Sequence, residues 1–244
     1  MKPVFVLAKR EFTGYFTTPV AWIFLMIFVA LAGMLTFYAG DFFIRGQADL
    51  QSFFVFHPWL YVFLIPAVSM RMWAEERRSG TIELLMTLPV STADLVLGKF
   101  LAAWAFVGVA LVLTVPMWLT VNYLGNPDNG VIFMSYLASF LIAGTFLSVG
   151  SCLSACTKSQ IVAFVSTMMA CVLLTFVGSD ALIDSFAGVA TEKVMKLFQS
   201  LGFLIHYISL TRGVFDMRDL LFFASFSSVF LFATVIVLDR KKAV

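Results

Sequence analysis

The chain has 244 residues, of which 61% are hydrophobic and only 12% are charged, and its mean hydropathy is +0.98. Soluble domains carry about 25% charged residues, so these few charged side chains cannot cover the apolar ones in water. A soluble globular protein is therefore excluded, and lipid must cover part of the surface. The length predicts a single membrane domain over residues 1–244, and the formal net charge of +2 gives no reason to expect a nucleic-acid partner.

Six apolar segments are each long enough to cross a bilayer, which takes roughly 20 predominantly apolar residues. They cover residues 20–38, 53–72, 95–123, 131–157, 161–178 and 220–238. We therefore predict an all-α integral membrane protein with six transmembrane helices, in which Pro66 and Pro116 kink the second and third helices. The first segment is too long for a signal-peptide core and is expected to be retained.

A less apolar region, residues 179–219, separates the last two predicted spans. Its apolar stretch is interrupted by Lys196, Gly202, His206 and Arg212. Charged side chains are costly inside the hydrocarbon region, so a further span is not expected here. We predict a re-entrant helical hairpin before the sixth span.

The distribution of Lys and Arg predicts the orientation, because cytoplasmic loops are enriched in these residues. With the N-terminus in the cytoplasm, eleven of them fall on the cytoplasmic side and five on the other side. The cytoplasmic set is Lys2, Lys9, Arg10, Arg71, Arg77, Arg78, Lys99, Lys158, Arg240, Lys241 and Lys242; the other set is Arg45, Lys193, Lys196, Arg212 and Arg218. Both termini are therefore expected to face the cytoplasm.

The N-terminal residues have the pattern of an amphipathic helix. The apolar positions are Val4, Leu7, Ala8, Phe12 and Phe16, and the polar positions on another face are Lys9, Arg10 and Thr13. Such a helix suits the cytoplasmic surface of a membrane. Thr18 and Pro19 then provide an N-cap and a first-turn proline for the first span.

The cysteines give no sign of a disulfide framework or of a metal site. Their number is odd, all three lie in apolar runs (Cys152, Cys156 and Cys171), and the CxxC spacing is absent from the sequence. Small buried hydrophobes are the expected role. Cys152 and Cys156 have no histidine or acid beside them to complete a metal site, so none is predicted.

The loop between the second and third predicted spans, residues 71–91, carries six charges in its first thirteen residues. Each charge would cost about 2.5–3.5 kcal/mol at the bilayer centre, so this segment must leave the hydrocarbon region. Gly80 can end the preceding helix and Pro89 can end the next element. The sequence therefore predicts a cytosolic helix of about two turns, followed by a capping box of Ser91 and Asp94 at the third span.

This short helix is predicted to have an apolar face made by Ile82, Leu85 and Met86, which needs a partner. A simple positively charged loop that only sets the topology is the alternative interpretation. The acidic residues Glu75, Glu76 and Glu83 count against that alternative, because topology requires none of them. They favour docking or ion pairs with Arg71, Arg77 and Arg78.

The same loop resembles a known family. Its sequence is Glu-Glu-Arg-Arg-Ser-Gly-Thr-Ile-Glu-Leu-Leu at 75–85, Pro-Val-Ser at 89–91 and Leu-Gly-Lys-Phe at 97–100, which is similar to the ABC-2 type permeases of ATP-binding cassette transporters. The preceding His-Pro-Trp at 57–59 and Leu-Ile-Pro-Ala-Val-Ser-Met-Arg at 64–71 resemble the gliding-motility-type branch, the Gld F permeases. The close resemblance covers about residues 53–104, and the hydropathy agrees along the whole chain.

The resemblance implies a permease subunit of the bacterial inner membrane, in which the cytosolic helix is the coupling helix that docks on an ATPase subunit. The implied contacts on this helix and its flanks are Glu75, Glu76, Arg77, Gly80, Thr81, Glu83 and Leu84. Lys158 and Ser159 would form a second contact, and Arg10 and Glu11 a third. The resemblance also implies a second permease, identical or different, and a membrane-anchored auxiliary subunit with an extracytoplasmic domain.

The chain itself lacks the phosphate-binding motif GxxxxGK[ST]. ATP and Mg²⁺ are therefore expected on the partner ATPase, and no enzyme activity or cofactor is expected in this chain. The sequence does not distinguish export of a molecule from transmission of force to an extracytoplasmic partner.

Small residues lie on one face of the fourth predicted span at i, i+4 spacing: Gly144, Ser148, Cys152 and Cys156. Such a stripe permits close helix packing, and lining of a transport pathway is the alternative. His57 is expected to anchor a helix end near the membrane interface and to form hydrogen bonds. For His206 a substrate contact is the alternative to a structural role.

Two other functional classes compete with the permease. Glu75 and Glu76 are similar to the paired glutamates of CAAX-type membrane proteases, but the arginine of that motif falls at Gly80, and both histidines belong to the other side. An intramembrane protease is therefore disfavoured. A non-transporting membrane scaffold remains the second alternative.

Overall fold

The structure, a computed structural model, describes residues 3–86, 89–177 and 202–242. Within these ranges all regular secondary structure is helical. The helices are α1 (Pro3–Phe16), α2 (Pro19–Met34, continued by a π-helical turn over Leu35–Ala39), α3 (Phe42–Arg45), α4 (Gln51–Phe54), α5 (His57–Ser79), α6 (Thr81–Met86), α7 (Thr92–Val112), α8 (Val115–Leu124), α9 (Asn129–Cys156), α10 (Gln160–Phe176), α11 (Phe203–Thr211) and α12 (Met217–Lys242).

Five helical segments in the described ranges are long and apolar enough to cross a membrane. They are Pro19–Ala39, Gln51–Ser79, Thr92–Leu124, Asn129–Cys156 and Met217–Arg240. The predicted fifth span corresponds to α10, an apolar helix of 17 residues that is shorter than the others. The predicted hairpin lies partly outside the described residues, and its described part contains α11 and the start of α12.

The centre of the bundle is α9, which packs against α5, α7, α10, α11 and α12. Its buried face is rich in small and hydroxyl residues: Ser135, Ala138, Ser139, Ala143, Gly144, Thr145, Ser148, Gly150, Ser151, Ser154 and Ala155. Small side chains let helix backbones approach closely, and hydroxyl groups can bond across the interface or to their own helix. The composition of α9 thus explains why so many helices can surround it.

Two glycines of α9 mark its closest contacts. A Cβ atom at Gly150 would lie 2.5 Å from the Cβ of Ser69 on α5 and 3.0 Å from a methyl group of Thr167 on α10. A Cβ atom at Gly144 would lie 2.7 Å from the indole nitrogen of Trp104 on α7.

The stripe that begins at Gly144 is buried at Gly144 and Ser148. Further along it Cys152 is half-buried and Cys156 is exposed, so the prediction of buried cysteines is wrong for Cys156, which lies at the end of α9, and is confirmed for Cys171.

The third predicted span is interrupted, not merely kinked. α7 ends at Val112 and α8 begins at Val115, with Pro116 in its first turn. Proline lacks an N–H group and clashes with the preceding turn of a helix, which accounts for the break. The Leu111 carbonyl accepts from both the backbone N–H and the hydroxyl of Thr114, at 3.0 and 2.6 Å, which closes the turn between the two helices. α5, in contrast, continues through Pro66.

The amphipathic pattern of α1 is confirmed. Its apolar positions are half-buried and Lys9, Arg10 and Thr13 are exposed. The buried face packs mainly against α7, where a Cβ atom at Gly98 would lie 2.9 Å from the Cβ of Leu7. α1 is therefore docked against a long helix of the bundle.

The predicted boundary signals around α6 and α7 are confirmed. Gly80 has a left-handed backbone with φ of 75° and ends α5, a conformation that glycine adopts at low cost. The Asp94 backbone N–H donates to the Ser91 hydroxyl at 3.1 Å, and that hydroxyl donates to the Asp94 carboxylate at 2.7 Å. Thr18 occupies the N-cap position of α2, but its hydroxyl bonds back to the Tyr15 carbonyl instead.

Replacing Gly150 with alanine should lower the free energy of unfolding by about 1–3 kcal/mol, because the added methyl group must displace Ser69 or Thr167. The matched control is Gly33→Ala in α2, where an added Cβ atom meets no heavy atom of the described residues within 4 Å. Denaturant unfolding in mixed micelles measures both variants. Equal stability of the two would contradict the close packing of α5, α9 and α10.

Candidate functional site

A buried lysine joins three helices at the end of the bundle where α1 and α6 lie, which we call the charged end. The Nζ atom of Lys99, on α7, lies 3.1 Å from Glu11 Oε2 on α1 and 3.1 Å from Glu76 Oε1 on α5. The lysine side chain is 7% exposed, and the two glutamate side chains are 21% and 23% exposed. A buried charge is stable only when it is paired, so this cluster fixes the three helices relative to one another.

An aromatic residue extends this cluster to the central helix. The Trp73 ring centroid lies 5.5 Å from Lys99 Nζ, within the range of a cation–π interaction. The Trp73 indole N–H donates to the Ser151 hydroxyl at 2.9 Å. The Ser154 hydroxyl accepts from the backbone N–H groups of Trp73 and Ala74 at 3.2 and 3.1 Å. α5 and α9 are therefore held together by polar contacts directly beside the cluster.

The junction of α5 with α6 is connected to the same cluster. The Thr81 hydroxyl donates a short hydrogen bond to the Glu76 carboxylate, whose other oxygen faces Lys99. The Ser79 hydroxyl lies 2.9 Å from that of Thr81 and also donates to the Glu75 carbonyl. The first residue of α6 is thus bound to the side chain that pairs with Lys99.

The described part of the apolar face of α6 packs on the chain itself, and the side chain of Met86 lies outside what the structure describes. Leu85 is buried and Ile82 is half-buried against the core, whereas Glu83 is exposed. We expected this face to need a partner, and α5 together with the rest of the core provides contacts for it. The surface of α6 that remains available carries Glu83. Leu84 lies in α6, and its side chain is outside what the structure describes.

The predicted contact residues divide into inward and outward groups. Glu76 and Arg77 face the protein, since Arg77 Nη1 donates to the Ala155 carbonyl at 2.8 Å and Glu76 pairs with Lys99. Glu11 also faces inward. The outward group is Arg10, Gly80, Glu83, Lys158 and Ser159, all exposed. Glu75 is intermediate, and its carboxylate accepts from Arg71 at 2.7 and 3.2 Å.

A cavity of about 400 Å³ opens beside the cluster, between α1, α5 and α7. Its lining includes Arg10, Tyr15, Thr18, Arg71 and Glu75, in addition to the three residues of the lysine cluster. Burial and the nearby Glu11 carboxylate raise the pKa of the Tyr15 hydroxyl above its ordinary value, so this tyrosine remains neutral. The charges that line the cavity are therefore those of arginine, lysine and glutamate.

Lys99 is close to the start of the third predicted span, and the sequence does not identify its two glutamate partners. An ionisable residue inside an apolar run is itself a signal of a functional or paired site, and Lys99 follows Gly98 within such a run. Glu11 could not be assigned as its partner from the sequence, because the two are brought together only by the packing of α1 on α7. That packing depends on Gly98 and Leu7, as described above.

The two histidines lie far from the paired glutamates. His57 and Glu75 are about 27 Å apart along the axis of α5, and His57 is fully buried with its Nδ1 2.7 Å from the Ser139 hydroxyl. His206 pairs with Asp219 at 2.6 Å. Within the described ranges no three His, Cys, Asp or Glu residues are grouped so that they could hold a metal ion. The hydrogen-bonding role predicted for His57 is thus confirmed, and its partner is the Ser139 hydroxyl in the buried core.

Long apolar helices around a hydroxyl-rich central helix define a multi-pass helical membrane protein. The sequence model of a family described as "ABC-2 family transporter protein" matches residues 5–238, nearly the whole chain. The chain therefore belongs to the ABC-2 family of transporter proteins, whose members are membrane permease subunits that work with an ATPase subunit. A comparison with curated proteins finds no match.

Replacing Lys99 with methionine should lower the free energy of unfolding by about 3 kcal/mol, because two carboxylates at the charged end lose their common partner. Lys158→Met is the matched control, since Lys158 is exposed and should change stability by less than about 1 kcal/mol. Unfolding in mixed micelles at neutral pH measures both. The cluster would have no stabilising role if the two variants unfolded at the same denaturant concentration.

Proposed function

We propose that this chain is the permease subunit of an ATP-binding cassette transporter, and that it receives the movement of a separate ATPase through α6. In this proposal residues 1–244 form a single transmembrane domain of the bacterial inner membrane. It has six spans, with α10 as the fifth, and both termini face the cytoplasm. The charged end of the bundle then lies at the cytoplasmic surface, and the region before α12 contributes the re-entrant hairpin.

A continuous series of side-chain contacts supports the proposal. α6 is bound through Thr81 to Glu76, Glu76 is bound to Lys99, and Lys99 is bound to Glu11. These bonds run from a short helix at the charged end to α5, α7 and α1. A displacement of α6 therefore changes the surroundings of a buried charge shared by three helices, which is a physical route from a docked partner to the spans.

The docking surface in this proposal is the outward group of residues. Gly80 and Glu83 supply the main contact and Lys158 and Ser159 supply a second one, with Arg10 at the edge. Thr81, Glu76 and Arg77, which the family resemblance also implicates, act behind this surface by holding α6 to the bundle. Leu84 completes the coupling helix. The exposure of Glu83 beside a buried Leu85 supports this division.

The mechanism is a shift between two conformations of the bundle. Closure of the ATPase dimer on ATP would favour one position of α6, and the spans would follow because α6 is linked to the lysine cluster. ATP and Mg²⁺ bind to the ATPase, and this chain contributes no cofactor. The transported cargo, or the force transmitted in its place, acts on the other side of the membrane.

The proposed assembly contains more than this chain. A second permease, identical or different, would complete the membrane part, together with two ATPase subunits. The resemblance of residues 57–59 and 64–71 to the gliding-motility-type branch supports an auxiliary subunit with an extracytoplasmic domain. A gliding role is not part of the proposal.

Reversing the charge of Glu83 should weaken binding of the ATPase by tenfold or more, an effect typical of a charge pair within an interface. The experiment copurifies Glu83→Lys with the ATPase encoded beside this chain and measures the Kd. Arg212→Glu reverses an exposed charge near α11 and should leave the Kd unchanged. Unchanged binding by Glu83→Lys, with the wild-type complex intact, would remove α6 from the docking surface.

Replacing Thr81 with valine should separate binding from coupling. The valine keeps the exposed surface of α6 but cannot donate to Glu76, so the Kd for the ATPase should change by less than about twofold while stimulation of ATP hydrolysis by the permease falls several-fold. Thr13→Val is the control, because the Thr13 hydroxyl bonds only carbonyls of its own helix. A wild-type complex that forms without any effect on hydrolysis would favour the scaffold alternative.

A further inference from the structure

Two cavities of opposite character meet at the charged end. The first is the 400 Å³ cavity described above, whose lining is charged. The second, of about 180 Å³, is almost entirely apolar and lies between the start of α2, α5 and α7. Both are lined by Tyr15, Thr18 and Arg71. A polar compartment therefore continues into an apolar one at the level where α1 ends and α2 begins.

The lining of the apolar compartment consists of side chains from the membrane-spanning helices. Ile23, Phe24 and Ile27 come from α2, Leu64 and Val68 from α5, and Phe106 from α7. The Tyr15 ring stacks on Phe106 at 5.1 Å between ring centroids. The nearby Trp22 indole donates to the Phe16 carbonyl at 3.2 Å. Tyrosine and tryptophan favour the boundary between hydrocarbon and headgroups, which places this compartment at the depth of acyl chains.

The charges of the polar compartment are balanced. Three cations and three carboxylates line it: Arg10, Arg71 and Lys99, with Glu11, Glu75 and Glu76. Lys99 is buried and already bound by two carboxylates. Arg10 is 61% exposed and lies 3.3 Å from Glu11, and the Arg71–Glu75 pair has side-chain exposures of 34% and 44%. Both guanidinium groups thus keep N–H donors at the surface of the cavity in addition to those that bond to the carboxylates. The groups accessible to a ligand are thus guanidinium groups and one carboxylate.

We propose that these two compartments form a binding site for one glycerophospholipid with a primary-amine headgroup, of the phosphatidylethanolamine type. The phosphate binds Arg10 and Arg71 through charge-assisted hydrogen bonds, and the ammonium group donates to Glu75. An acyl chain occupies the apolar compartment beside Phe24 and Phe106. A zwitterionic headgroup preserves the charge balance of the lining, whereas an anionic lipid would add negative charge beside three carboxylates.

Such a lipid would bridge α1, α2 and α5 next to the lysine cluster. It touches no residue of the proposed docking surface except Arg10 at its edge. The site therefore requires only that this end of the bundle lie at a membrane surface, and it can be tested on the permease alone. Failure of lipid binding would leave the docking proposal intact, and failure of docking would leave the lipid site intact.

The experiment is native mass spectrometry of the full chain in detergent, titrated with phosphatidylethanolamine, phosphatidylcholine, phosphatidylglycerol or diacylglycerol of identical acyl chains. One molecule of phosphatidylethanolamine should bind at least tenfold more tightly than diacylglycerol, and more tightly than the other two phospholipids, because the choline group has no N–H to donate to Glu75. The double variant Arg10→Gln with Arg71→Gln should bind it at least tenfold more weakly. Arg78→Gln, an exposed arginine outside the cavity lining, should bind like the wild type.

A second variant tests the apolar compartment without altering a charge. Ala67→Trp places an indole in its lining and should abolish the specific lipid, whereas Ala30→Trp, on an exposed position of α2, should not. Thermal unfolding identifies any variant that fails to fold. The proposal would be overturned if the wild type bound diacylglycerol and phosphatidylethanolamine with equal affinity. It would also be overturned if the double arginine variant and Ala67→Trp both bound phosphatidylethanolamine as tightly as the wild type does. A preference for phosphatidylglycerol would overturn the assignment of a zwitterionic lipid.

Discussion

The charged end of this protein is organised by the cost of burying one ammonium group. Lys99 lies among apolar side chains of α7, where an unpaired charge would be unstable. Its two glutamate partners come from α1 and α5, and Trp73 lies beside it. Because the buried ammonium group is stable only with these carboxylates beside it, the three helices that carry the lysine and the glutamates are constrained as a set. The position of α6 follows from the same constraint through Thr81.

Packing around α9 holds the membrane-spanning helices together. In a membrane the hydrophobic effect does not draw apolar helices together, so close backbone approach and hydrogen bonds must do so. The glycines at 144 and 150 provide the close approach, and the serines at 151 and 154 provide the hydrogen bonds. These contacts lie beside the lysine cluster, so the rigid centre of the bundle and its charged end share the same side chains of α5.

The local signals in the sequence predicted local structure well. Gly80 and the Ser91–Asp94 pair predicted helix boundaries that the structure confirms, because each acts through backbone geometry or a bond within a few residues. The amphipathic pattern of α1 was also predictive, since burial follows helical periodicity. The sequence could not predict which helix faces pack against each other. The pairing of Lys99 with Glu11 depends on packing between distant segments, and the burial of Leu85 within the chain depends on where α6 is held. The division of the third span at Thr114 was predicted only as a kink at Pro116.

That division has a mechanical consequence. α7 is an uninterrupted helix of 21 residues, about 30 Å long, and the Lys99 cluster lies near its beginning. Its α-helical geometry ends at Val112, a turn follows at Leu113 and Thr114, and α8 starts at Val115. A tilt applied at the charged end would therefore move α7 as a rigid rod, and the two-residue turn at Leu113 and Thr114 would absorb the bend before it reaches α8. The two helices of this segment can therefore take different angles, so that Trp118 of α8 keeps its contacts with Asn129 and Tyr136 while α7 changes its tilt.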